Sequence, residues 1–178
     1  MSDIKQITYL AEETLEGQRV IRLGDSCLVG NGAAEDLKSL GSVVLPVIQQ
    51  VVISRVVPAS LEVSDHHELM CRFPGLSSLW VAYLRVAQTA HLQEAIAFLK
   101  TLEGSVLASA ILACMSVWGK FSSCKLPPNV VTFLQEVARR PSDLAAEVAK
   151  HCLSLNEIEL LDDSNELDLA ISPVVFLK

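Results

Sequence analysis

No stretch of this chain offers the roughly 20 uninterrupted apolar residues that a membrane-spanning helix requires. The longest apolar run, Val106 to Trp118, is broken by Ser109 and Ser116 and bracketed by Glu103 and Lys120. It reads as a buried core helix, and no membrane is expected as a partner. The opening segment, MSDIKQITYLAEETLEGQ, has neither a basic stretch nor an apolar one. No secretory signal is read there, and the expected compartment is the cytoplasm. Clustered basic residues are missing too. Arg139-Arg140 is the only adjacent basic pair, whereas binding a phosphate backbone needs Lys and Arg gathered together. Nucleic acid is therefore excluded as an expected partner.

The cysteines lack every pattern of a framework. There are 5, an odd number, irregularly spaced (Cys27, Cys71, Cys114, Cys124, Cys152), and none forms C-x-x-C. They read as reduced thiols, buried as small hydrophobes, with Cys114 inside the most apolar segment. Aromatic residues are scarce at 5%.

What is abundant is aliphatic surface. Hydrophobic residues make up 51% of 178 residues and the mean hydropathy is +0.39. Leu, Val, Ala and Ile supply most of it, a mix suited to close-packed helices and incompatible with disorder over the bulk of the chain. The length fits one domain or a short array of repeats. The net charge is −7. Most of it lies beyond Asn156, where Glu157, Glu159, Asp162, Asp163, Glu166 and Asp168 are opposed only by Lys178. Residues 161–178 are expected to form an acidic C-terminal tail.

The periodicity is mainly helical. Residues 3–15 read as a short amphipathic helix, with Ser2 or Asp3 as its cap. Residues 16–32, RVIRLGDSCLVG included, can be written as a hairpin about Gly24-Asp25 or as an irregular connection. Ala33 to Gly41 reads as a short helix stopped by Gly41. Ser42 is expected to cap a second helix through Val57, with Pro46 in its first turn. The β-branched run Val51 to Val57 leaves a strand open there. Residues 58–76 read as a loop with one helical turn around Asp65 to Met70. From Ser77 to Leu155 the pattern is helical: Leu79, Tyr83, Val86 and Ala90 share one face, and Leu92, Ala95, Ile96, Leu99 and Leu102 another. Residues 104–119 are apolar nearly all round, as in a helix packed on several sides. Pro127-Pro128 opens a helix with inner residues Val130, Leu134 and Val137. After Pro141, a cap at Ser142 or Asp143 starts the seam Leu144, Val148, Cys152, Leu155. Asn156 to Asp163 reads as a last short helix, and Leu167, Leu169 and Ile171 alternate as in a strand.

These helices fall into pairs. AAEDLKSLGSVVLPVIQQVV is a helix, a glycine stop and a second helix with proline near its start; ILACMSVWGKFSSCKLPPNVVTFLQEVA has the same grammar. Gly41 and Gly119 lie close to two periods of about 40 residues apart, the length of a HEAT-type hairpin. PSDLAAEVAKHCLSL also matches the opening helix of such a repeat. Over about residues 33–160 the chain resembles a degenerate HEAT/armadillo-like array of three or four units. The resemblance implies an all-α fold of stacked antiparallel helix pairs in a right-handed superhelix, forming a single domain. It implies a protein-binding module without catalytic residues or cofactors. The second helices, at 43–56, 92–102 and 128–139, would line a concave face. Gln49 and Gln50, Gln93 and Glu94, and Gln135, Glu136 and Arg139 are then the residues expected to face another protein.

Three other readings were weighed on their chemistry. Gly24-Asp25-Ser26 is similar to the first block of the SGNH serine hydrolases. A serine nucleophile needs a base and oxyanion donors, yet no Asn precedes an Asp, and none of the four histidines has an Asp three residues before it. In SDHHELMC, His67 and Cys71 stand one helical turn apart and could share a metal; the third and fourth ligands of a zinc pattern are missing, so no metal is expected. VGNG lacks the rest of a phosphate loop or dinucleotide fingerprint. Trp80, Tyr83 and Trp118 read as core, and His91 and His151 as boundary residues. A small immunity-type protein that silences one partner by its acidic surface, or a HEAT-like enzyme on DNA, would be separated from a scaffold by the partner each retains.

Overall fold

A computed structural model describes residues 4–16, 32–59, 61–88, 90–118, 125–141 and 143–155, and the backbone of 19–23 and 26–30. The structure is mostly helical. Helix α1 (Ile4–Glu16) is followed by strands β1 (Arg19–Leu23) and β2 (Ser26–Gly30) and helix α2 (Gly32–Ser39). Gly41 to Ala59 forms one continuous helix, α3. Then come α4 (His66–Arg72), α5 (Pro74–Ala87), α6 (Leu92–Leu99), α7 (Gly104–Trp118), α8 (Pro128–Ala138) and α9 (144–155). The strands pair antiparallel, Arg19 with Gly30 and Leu23 with Ser26. Gly24, Asp25, Gly119, Cys124, Ser142 and the acidic segment from Asn156 lie outside the described residues, as does the Ser2–Asp3 cap.

Helix α5 occupies the middle. It touches α1, α2, α3, α4, α6 and α7, and Leu76, Leu79, Trp80, Ala82, Tyr83, Leu84 and Ala87 are all buried. The core thus includes the segment ahead of residue 33: Ile7 and Ala11 of α1 are fully buried in the same cluster. Thr14, also buried, satisfies its hydroxyl by donating to the Leu10 carbonyl at 2.7 Å. Trp80, Tyr83 and Trp118 are core residues. Trp80 stands edge-on to Tyr83, and its indole N–H donates to the buried Ser109 hydroxyl at 2.8 Å. Ser109, which interrupts the apolar run of α7, is therefore the acceptor that lets a tryptophan be buried without an unpaired donor.

Several boundaries differ from the sequence expectation. Gly41 does end α2, at φ 72°, but the chain continues at once through a 3₁₀ turn, Gly41–Val44, with no side-chain cap from Ser42. Val51 to Val57 is helical, not strand: Val52–Val56 forms a π turn and Val57–Ala59 a 3₁₀ turn. The β-branched residues stay helical because Val51, Val52 and Val56 are buried against the bundle. Helix α5 begins at Pro74, not Ser77. Pro74 suits a first helical position, where its missing N–H leaves nothing unpaired. Asp143 caps α9, its carboxylate accepting from the Ala146 N–H at 2.7 Å.

Gly75 is where α1 and α5 meet most closely. A Cβ there would lie 2.2 Å from the Leu15 carbonyl oxygen and 2.6 Å from that of Thr14. Both are backbone atoms, so relief requires moving a helix. Gly75→Ala should lower the stability by about 2 kcal/mol or more, at or above the middle of the overpacking range. The midpoint of urea unfolding measures this, and an unchanged midpoint would show that α1 does not sit there.

Candidate functional site

The seven polar residues expected on the second helices meet different fates. Gln49 of α3 is half-buried, and its amide donates to the Tyr83 hydroxyl at 2.7 Å. That bond ties α3 to α5 and makes Gln49 a structural residue. Burial raises the Tyr83 pKa above its ordinary value, against the opposing pull of the Gln49 bond. Gln50 is exposed on the outer face of α3. Gln93 and Glu94 are exposed on α6, with Glu94 paired to His91 Nδ1 at 3.0 Å. Gln135, Glu136 and Arg139 are exposed on α8 and its end. Glu136 forms an ion pair with Lys100, just past α6, and so joins the ends of the two helices.

The connections gather at opposite ends. Lys38, Gly41 and Ser42, between α2 and α3, share one cleft with Arg85, Ala90 and His91, between α5 and α6. A larger open cleft of about 860 Å³ is formed elsewhere. Its walls come from the stretch after α3 (Val57, Leu61), the stretch after α6 (Lys100 to Glu103) and the turn after α8 (Arg140, Pro141). Helix contacts run from α2 to α5 to α7, and from α6 to α8.

Sequence reasoning missed the apolar character of α3. Among the described residues it is the one helix long and apolar enough, by length and composition, to cross a membrane, and about a third of it is buried. Its inner residues Val44, Ile48, Val51 and Val52 are in the core, while Val43, Ile53 and Val57 are about half exposed. The interruptions Pro46, Gln49-Gln50 and Ser54 disguise the run when it is read as a string. Plotted on a helix they fall between the apolar residues.

The SDHHELMC stretch works as a helix start. The Asp65 carboxylate accepts from the Glu68 N–H at 2.9 Å, which lowers its pKa. Glu68 in turn accepts from both the N–H and the hydroxyl of Ser64 at 2.8 Å, and from Arg72 at 2.7 Å. The D-x-x-E spacing, a variant of the capping box, was the sequence signal. His67 Nε2 and Cys71 Sγ are 3.7 Å apart, but among the described residues no third ligand joins any such group. His66 and His151, far apart in sequence, stack with ring centroids 5.7 Å apart and link α4 to α9. The backbone of Ser26 lies in β2; its side chain lies outside the described residues.

Two measurable consequences follow from these environments. The bonds from Ser64, then from Arg72, hold the Glu68 carboxyl far down, at about 2. Because the folded value lies below the ordinary 4.5, the stabilisation is complete above that pH and is lost as the pH falls towards 2. A carboxyl titration followed by NMR should place Glu68 near 2, and Glu68→Gln should flatten the acid limb of the stability curve. Among the described cysteines, Cys71 is exposed while Cys114 and Cys152 are buried. Burial pushes both buried thiols up, that of Cys152 to about 12, so alkylation of the native protein should reach Cys71 and spare the other two until unfolding. Compared with known proteins, the chain matches no family model, no curated protein and no solved structure.

Proposed function

We propose that this chain is a non-catalytic protein-binding module, a HEAT-like right-handed stack of helix hairpins in which α3, α6 and α8 line the face that meets another protein. The observation that carries this reading is the segregation of the connections. The turns within the pairs α2–α3 and α5–α6 share one cleft. The returns that follow α3, α6 and α8 share another. Hairpins stacked side by side produce this arrangement, because every pair turns at one edge and hands over to the next pair at the other. The contacts α2–α5–α7 and α6–α8 agree with a row of first helices and a row of second helices. The Lys100–Glu136 pair then staples two neighbouring second helices.

The mechanism is geometric. First helices bury their faces in the core, so the second helices offer exposed side chains at fixed spacing from a rigid support. Gln93, Glu94, Gln135, Glu136 and Arg139 supply hydrogen bonds and charge of both signs, and α3 supplies apolar surface. Such a surface recognises a protein by a central apolar contact and a polar surround.

Photo-crosslinking tests the reading. A benzophenone side chain at Gln93 or at Gln135 should capture the same protein in the native host. One at Glu35, exposed on α2, should not. Gln93→Arg combined with Gln135→Arg should reduce that capture about tenfold or more, equivalent to about 1.4 kcal/mol. Equal capture from Glu35, or different proteins from Gln93 and Gln135, would overturn it.

A further inference from the structure

We infer that the outer face of α3 pairs with the same face of a second copy of this chain, the two helices lying antiparallel about a two-fold axis near Gln50. The inference deepens the reading of the second-helix face as the binding face, and rests on it, by naming the occupant of its apolar part.

Three observations carry it. The first is the chemical character of α3. Arg55 is its only charged residue from Gly41 to Ala59, although only about a third of the helix is buried. Val43, Ile53 and Val57 are 49%, 50% and 45% exposed, and Val47 is half-buried at the rim of the core. The π turn widens this outward strip by turning Ile53, Ser54 and Arg55 to solvent in succession while Val52 and Val56 stay inside. A stripe of this kind on a helix marks a surface that is covered in use.

The second is its symmetry. Val43, Val47, Gln50, Ile53 and Val57 have the same spacing read in either direction, with Gln50 at the centre. A two-fold contact requires a patch complementary to itself. Reversing one copy on the other sets Val43 opposite the partner subunit's Val57, and Val47 opposite the partner subunit's Ile53. Gln50 meets its own counterpart. A side-chain amide carries both donors and an acceptor, so the two glutamines satisfy each other across the axis. A single polar residue within an apolar seam fixes register, as a buried polar residue does in a coiled coil.

The third is what the surroundings favour. A membrane surface attracts helices whose polar face is rich in Lys and Arg. Here the one cation of α3 is already held by Glu12 at 2.9 Å, and the chain carries a net charge of −7. A spanning helix would require Ile48, Val51 and Val52, all buried, to leave the core. A second copy brings a neutral apolar strip to a neutral apolar strip. The strip from Val43 to Val57 is about 21 Å long at 1.5 Å per residue. Tyr9, 62% exposed and one turn before Glu12 on the adjoining α1, extends it. A contact of that length falls at or below the low end of stable interfaces, about 1,200 Å² in total, so the pairing is weak and depends on concentration.

Sedimentation velocity on the full chain, from low micromolar to several hundred micromolar and without lipid, provides the test. The expected result is a reversible doubling of mass. Val43→Glu and Ile53→Glu replace exposed side chains, so the circular dichroism spectrum should be unchanged. Each should raise the concentration at the midpoint about tenfold or more. Gln50→Cys under mild oxidation should give a dimer whose 50–50 linkage is identified by peptide mapping, while Gln93→Cys should not. A monomer at every concentration overturns the inference, as does a dimer indifferent to both glutamate variants. Flotation of a monomeric chain on phosphatidylcholine–phosphatidylserine vesicles, abolished by Ile53→Glu, overturns it in favour of a lipid surface. If the chain stays monomeric while Gln93 and Gln135 still capture one protein, this inference fails alone. If that capture fails as well, the reading beneath it falls too.

Discussion

Every other feature of this fold depends on a helix that is covered almost all the way round. Helix α5 has neighbours in six other helices, and burying it requires that its polar atoms be answered inside the protein. The answers are few and local. Trp80 gives its N–H to Ser109, and Tyr83 takes a hydrogen from Gln49. Each bond reaches from α5 to a different neighbour, α7 or α3. An unpaired buried donor costs about 1–3 kcal/mol, so these contacts fix which helices can lie beside α5 and at what rotation. Apolar area alone would accept many arrangements of the same helices. The two side-chain bonds admit far fewer.

The close approach at Gly75 acts in the same direction. With no Cβ at that position, the last carbonyls of α1 rest against the first turn of α5. Helix α1 therefore closes one end of the bundle instead of trailing from it, and buries Ile7 and Ala11 beside residues more than sixty positions later. The Glu12–Arg55 pair then joins α1 to α3 on the outside. Packing inside and charge outside thus locate α1, which leaves the outward strip of α3 beside Tyr9 uncovered by anything in the chain's described residues.

Much of this was legible in the sequence, and the parts that were not have physical reasons. The helices from Leu92 onward were readable because Leu92, Ala95, Ile96 and Leu99, or Val130, Leu134 and Val137, repeat at helical spacing while prolines mark the starts. Gly41 was readable as a stop because only a residue without a side chain takes φ 72° at no cost. The start of α5 was not, since Pro74-Gly75 is as much a turn signal as a helix start, and the choice is made by the carbonyls of Thr14 and Leu15. Val51 to Val57 was ambiguous because β-branched residues favour strands in isolation and yielded here to burial against α1 and α5. Of the residues expected at the binding face, those on α6 and α8 are exposed, whereas Gln49 is occupied by Tyr83, a contact 34 positions away that no local pattern announces. The stacked rings of His66 and His151 were invisible for the same reason.

The wide turn at Val52–Val56 imposes a constraint on the length of the chain there. A π turn holds one more residue than an ordinary helical turn, so the helix carries a built-in surplus between Val51 and Val57. Losing one residue in that interval would restore regular winding and swing everything beyond it by about 100°. Val56 would then leave the core and the connection to α4 would begin on the wrong side. The segment is consequently tolerant of exchanges among aliphatic side chains but not of any change in its number of residues, which makes α3 a fixed ruler between two halves of the molecule.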